Sequence, residues 1–113
     1  MANSFVNKKV DLTTTSVTTL YTVPDATNSI IKSILVSEDS GNADTITVTI
    51  TDTSDNVFSL FKTKSISANG TTELLSAPLV LQQNEILKVT AATANRLHVV
   101  LSALESKPRE VTT

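Results

Sequence analysis

The segment Thr45-Ile46-Thr47-Val48-Thr49-Ile50-Thr51 alternates apolar and hydroxyl residues with a strict period of two. That period places Ile46, Val48 and Ile50 on one face of an extended strand and the threonines on the other. A helix would scatter both sets around its circumference, and the β-branched residues that fill both faces suit a pleated sheet better than a helix. Similar short stretches recur along the chain, separated by turn residues roughly every 8–12 positions. No stretch is long enough for a crossover helix. The pattern predicts an all-β, antiparallel sandwich of about eight strands, either a jelly roll or an immunoglobulin-like order, rather than a parallel sheet.

Particular segments carry the prediction. Phe5–Leu12 has mixed faces, with Phe5, Asn7 and Lys9 on one side and Val6, Lys8 and Val10 on the other, so residues 1–16 read as an N-terminal arm with a possible edge strand. Val17–Val23 ends at Pro24, which supplies no ladder donor. Ser29–Ser37 is nearly continuously apolar, as expected of a strand covered on both faces. Val57–Phe61 and Lys64–Ser67 follow, and Asn69-Gly70 predicts a hairpin turn joining Lys64–Ser67 to Thr71–Leu75. A second hairpin is expected from Ile86–Ala91 and Arg96–Leu104, with Leu87, Val89, Leu97, Val99 and Leu101 facing inward. Residues 17–105 thus form one sandwich domain. The charged stretch 106–113, which contains Pro108, reads as a mobile or partner-bound tail.

Composition narrows the function classes. At 113 residues the chain holds one domain with a thin stability margin. It has no cysteine, so disulfides and thiolate metal sites are excluded. A small domain without such staples often leans on neighbouring subunits. The net charge is −2 with both signs scattered, which lacks the basic stripe of a nucleic-acid binder and the polybasic cluster of a membrane-surface protein. No apolar run approaches the roughly 20 residues of a membrane helix. Met1-Ala2-Asn3-Ser4 shows no secretory leader, so synthesis in a cytoplasm is expected.

Candidate chemistry is sparse. His98 is the only histidine, and its phase sets it on the face opposite Leu97, Val99 and Leu101, with no nucleophile or acid signature beside it. The acidic residues Glu38, Asp39 and Asp44 bracket one loop and Asp52 and Asp55 another. Their spacing fits no calcium loop, and turn geometry explains them better. Lys62 and Lys64 beside Phe58 and Phe61 read as edge-strand lysines that discourage aggregation. With no Trp and the single Tyr21, a sugar-stacking platform is not expected, although Asn42, Asn56, Asn84 and Asn95 at turns leave room for a glycan- or receptor-binding module. No enzyme, cofactor or metal site is expected.

Leu20-Tyr21-Thr22-Val23-Pro24-Asp25, Ser29–Ser37, the alternating Asp44–Ile50, Leu74–Leu81, Leu87–Ala91 and Val99–Glu105 together resemble small virion structural proteins of tailed bacteriophages. The resemblance spans most of Tyr21 to Glu105. It implies a non-catalytic β-sandwich subunit, generally homo-oligomeric, that decorates capsids or sits at the neck or in tails and fibres. A trimeric capsid decoration or cement protein bound to the major capsid protein or other virion proteins leads among these, which would locate the chain in the virion. Contact residues expected for such assembly are Phe5, Val6 and Val10 in the arm and Phe58 and Phe61 in mid-chain.

Overall fold

Residues 2–107 are described in the computed structural model, and among them the chain forms nine strands and no helix. They are β1 (Ala2–Asp11), β2 (Thr18–Thr22), β3 (Asn28–Glu38), β4 (Asp44–Thr51), β5 (Val57–Ile66), β6 (Thr71–Glu73), β7 (Leu79–Leu81), β8 (Ile86–Ala91) and β9 (Leu97–Lys107). One sheet has the order β1-β9-β3-β6, with β7 also on β3, and the other has the order β2-β8-β4-β5. All pairs are antiparallel.

The order describes one long hairpin rolled up. Its two arms pair β1 with β9, β2 with β8, β3 with β6 and β7, and β4 with β5. Rolling then brings β9 against β3 and β8 against β4. This is a jelly roll, with β6 and β7 acting as one interrupted strand, and not the immunoglobulin order. Both predicted hairpins are therefore corrected. β8 and β9 are consecutive but lie in different sheets, and so do β5 and β6. Asn69-Gly70 does turn the chain, with Asn69 at φ 57° and the Gly70 N–H donating to Ser67 O at 2.9 Å, but the turn is an arch between sheets. Alternation shows which face of a strand is apolar; it does not say which strand lies alongside.

The inner faces meet in one core. Ile31, Ile34, Val36, Leu97, Val99 and Leu101 come from one sheet and Tyr21, Ile46, Val48, Leu87 and Val89 from the other, all buried. Leu87, Val89, Leu97, Val99 and Leu101 face inward as their phase predicts. A β-bulge between Ile31 and Ser33 resets the phase of β3, so that Ile31 and Ile34, three residues apart, both point inward. That bulge alters the reading of Ser29–Ser37. Within one chain the strand is covered on the inner face only, and Leu35 on the opposite face is 40% exposed.

The segments Val57–Phe61 and Lys64–Ser67 join into the single strand β5, bent by two bulges against β4. At one of them Thr63 has φ 50°, and its N–H donates to Thr47 Oγ1 at 3.0 Å. A β-branched residue in the left-handed region carries a steric cost of about 1–2 kcal/mol. Thr63→Asn, which tolerates that region, is expected to raise stability by about 1 kcal/mol and the thermal midpoint by about 4 °C. Calorimetry on the two proteins decides it; an unchanged or lowered midpoint would mean the bulge is unstrained.

Candidate functional site

The ionisable side chains of the interior and loops serve the architecture. Glu38, buried at the end of β3, accepts hydrogen bonds from the N–H groups of Ser40 (2.7 Å), Gly41 (3.0 Å) and Asn69 (2.9 Å) and from the Ser40 hydroxyl. Burial pushes its pKa up, but these four donors outweigh burial and hold it at about 2. One carboxylate thus closes the β3–β4 loop and ties it to the β5–β6 arch. Glu73 acts similarly where β6 and β7 are interrupted. Its carboxylate takes the N–H of Ile34 at 2.8 Å, the N–H of Leu75 at 3.2 Å and the hydroxyl of Ser33, replacing the ladder partner that β3 lacks there. Against the upward push of burial, those donors lower its pKa. Asp52 receives the N–H groups of Asn56 and Ser54, both at 2.9 Å, in the β4–β5 turn, and the Asn56 bond is the main reason its pKa is lowered.

A buried pair crosses between the sheets. The Tyr21 hydroxyl of β2 donates to Glu105 Oε2 of β9 at 2.5 Å and lies 3.0 Å from Ser29 Oγ of β3. Tyr21 is 2% exposed and Glu105 8%. Burial first, then the neighbouring carboxylate, pushes the phenol pKa up to about 12. Both side chains are buried, and their hydrogen bond joins the two sheets.

The asparagines at turns are likewise engaged locally. Asn84 and Asn95 adopt φ 65°, and Asn56 Nδ2 donates to Asp52 at 3.2 Å. His98 lies on the outer face of β9, with Nε2 3.2 Å from Asp11 Oδ1 and Nδ1 3.5 Å from Asp39 Oδ2. Among the described residues, no three His, Asp or Glu side chains gather in a way that could hold a metal ion.

Among the described residues, the outer face of the β1-β9-β3 sheet has no covering layer. Register across its strands defines rows about 6–7 Å apart. One end is polar, with Asp11 beside His98 and then Ser37. Asn7, Ser102 and Ser33 form a middle row. At the other end Phe5 pairs with Leu104, Leu104 with Ile30, and Ile30 with Val80, giving four apolar side chains in line across β1, β9, β3 and β7. Phe5 is 81% exposed and Val80 61%, with Leu104 and Ile30 partly covered between them. Leu35 and Val100 continue apolar surface on the far side of the serines.

The five residues expected at contacts do not form one patch. Phe5 belongs to this row. Val6 and Val10, on the opposite side of β1, pack partly against the core. Phe58 is 55% exposed on edge strand β5, whereas Phe61 packs against the core. Phe61 also lines a shallow apolar groove of about 260 Å³ with Leu60, Leu74, Leu75, Pro78 and Leu79, where β5 faces the β6–β7 interruption. Ile30, Val80 and Leu104 were not singled out from the sequence. Their only signal there is that Ile30-Ile31 and Leu79-Val80-Leu81 carry apolar residues on both faces of a strand.

For the ends of the chain, β1 runs from Ala2 to Asp11 and pairs with β9 along its whole length. Ser106 and Lys107, placed in the tail by the sequence, belong to β9, while 108–113 lie outside the described residues. The sequence matches no protein-family model and no curated protein, so the functional reading rests on these residues and this surface.

Proposed function

We propose that the chain is a non-enzymatic structural subunit of a tailed-phage virion, a homo-oligomeric and most simply trimeric capsid decoration or cement protein. The observation that carries this reading is the in-register row Phe5–Leu104–Ile30–Val80 on the outer sheet face. Contiguous exposed apolar surface of this kind marks sites of association. Burying an apolar side chain contributes about 1.5–3 kcal/mol when it is fully removed from water, so covering the ends of this row is favourable. The apolar residues that β3 carries on its outer face, Ile30 and Leu35, support the same reading. Glu38, Glu73 and Asp52 are engaged in holding loops, and Tyr21 with Glu105 in joining the sheets. The jelly roll hosts capsid proteins and many others, so the fold alone supports nothing more specific.

Sedimentation velocity tests the reading. The native chain is expected to sediment as a small closed oligomer. Phe5→Asp combined with Val80→Asp is expected to weaken association by roughly a hundredfold, equal to about 2.7 kcal/mol, while the folded spectrum is retained. Binding of purified protein to phage capsids stripped of their decoration separates a capsid role from a neck or tail role. A native chain that stays monomeric at high concentration and binds no capsid or tail component removes the proposal.

A further inference from the structure

Strand β1 is an edge strand paired only with β9 over ten residues, and none of its side chains from Asn3 to Asp11 is buried. Val6 and Val10 alone pack partly against the core. Its attachment is therefore mainly the main-chain ladder to β9, which runs in register from Ala2↔Lys107 to Asp11↔His98 without a bulge. The chain just beyond is fixed differently. Leu12 is buried in the core, its N–H donates to Leu97 O at 3.0 Å, and its carbonyl accepts the Asn95 N–H at 2.9 Å. Residues 13–17 after it are exposed. The molecule thus has a firm pivot at Leu12 and a ten-residue strand before it that reaches about 33 Å when extended.

We infer that β1 is an exchangeable arm, leaving its own β9 to pair with the β9 of a second copy. The inference rests on the assembly reading above and names how the copies are joined. A second copy is the occupant because the vacated β9 edge recognises one sequence in one register. It accepts Val6 and Val10 beside the core on one side, and it places Phe5 against Leu104 on the other. Exchange re-forms the ladder beyond the pivot with the same partial burial, so its cost falls on the pivot and on bringing the copies together, as in strand swapping between identical chains. In the exchanged form each apolar row is composite, with Phe5 from one copy completing Leu104, Ile30 and Val80 of the next. Passing arms in one direction around a ring closes a cyclic oligomer.

The chain has no cysteine, so a paired substitution reports on the connection cleanly. Asn7 and Ser102 face each other on the outer side of β1 and β9, both exposed, at a strand spacing that a disulfide spans. The N7C/S102C variant is oxidised, unfolded without reductant and run on a denaturing gel, with K9C/V100C as a second pair and the four single variants as controls. Exchange predicts a ladder of covalently joined chains, absent from the single variants, and peptide mapping that places each bond between the two paired positions. Closure within single chains only, alongside a clear oligomer in sedimentation of the reduced variant, overturns the exchange and leaves the assembly reading standing. Closure within chains together with a monomer in sedimentation overturns the exchange, and the assembly reading falls with it when the native chain also binds no capsid or tail component.

Discussion

Tyr21→Phe is expected to destabilise the domain by about 2–3 kcal/mol, a large share of the 5–15 kcal/mol available to a domain. The substitution removes one oxygen and leaves the packing of the ring unchanged. What it strands is the Glu105 carboxylate, 8% exposed, whose hydrogen bond from the phenol is the one it makes within the described residues. A buried carboxyl group left without a hydrogen-bond partner is costly. Urea titrations with a lowered midpoint and unchanged slope are the expected result. Adding Glu105→Leu to Tyr21→Phe is expected to recover part of the loss, because it removes the stranded group as well. Equal midpoints for Tyr21→Phe and the native chain would show that the carboxylate finds water instead. The same pair shapes the alkaline limb. The phenol pKa is raised from 10.0 to about 12, so its contribution to stability is complete below about pH 10 and is lost as pH rises towards 12. Tyr21→Phe abolishes that limb.

The acid limb belongs chiefly to Glu38. Its pKa in the folded chain is about 2 against an ordinary 4.5, so the ionised form is favoured by folding. A group depressed in this sense contributes stability above its ordinary pKa and loses it as pH falls from about 4.5 to about 2. Glu73 and Asp52 are lowered too and add to the loss in the same direction. Glu38→Gln is expected to be less stable than the native chain at neutral pH, since its amide nitrogen must face N–H donors in either orientation, those of Gly41 and Asn69 on one side or that of Ser40 on the other. It is also expected to show a shallower acid limb, taking up one proton fewer on unfolding. Denaturant midpoints measured from pH 2 to 7 test both statements, and superimposable pH profiles for the two proteins would contradict the assignment.

These two carboxylates illustrate what a sequence conceals. Glu38 and Asp52 read correctly as turn residues, because an acid beside Ser, Gly or Asn finds main-chain donors within a few positions. Glu105 gave no such sign. It lies at the end of an apolar strand next to the charged tail, and its partner Tyr21 is 84 residues away. Phe58 and Phe61 lie on the same strand, yet Phe58 is exposed while Phe61 packs against the core. The row Phe5–Leu104–Ile30–Val80 draws on four separated segments, and no local pattern links them.

Period-two alternation, β-branched content and regular turn spacing were enough to dictate an all-β chain and the inward face of most strands, because side-chain direction follows from the backbone of each strand alone. Tertiary structure decided which strands are neighbours, and with it the jelly-roll order, the Tyr21–Glu105 pair and the exposed row. Sheet pairing is a contest among many strands of similar pattern, settled by closure of the whole barrel-like roll and by bulges that shift phase by one residue.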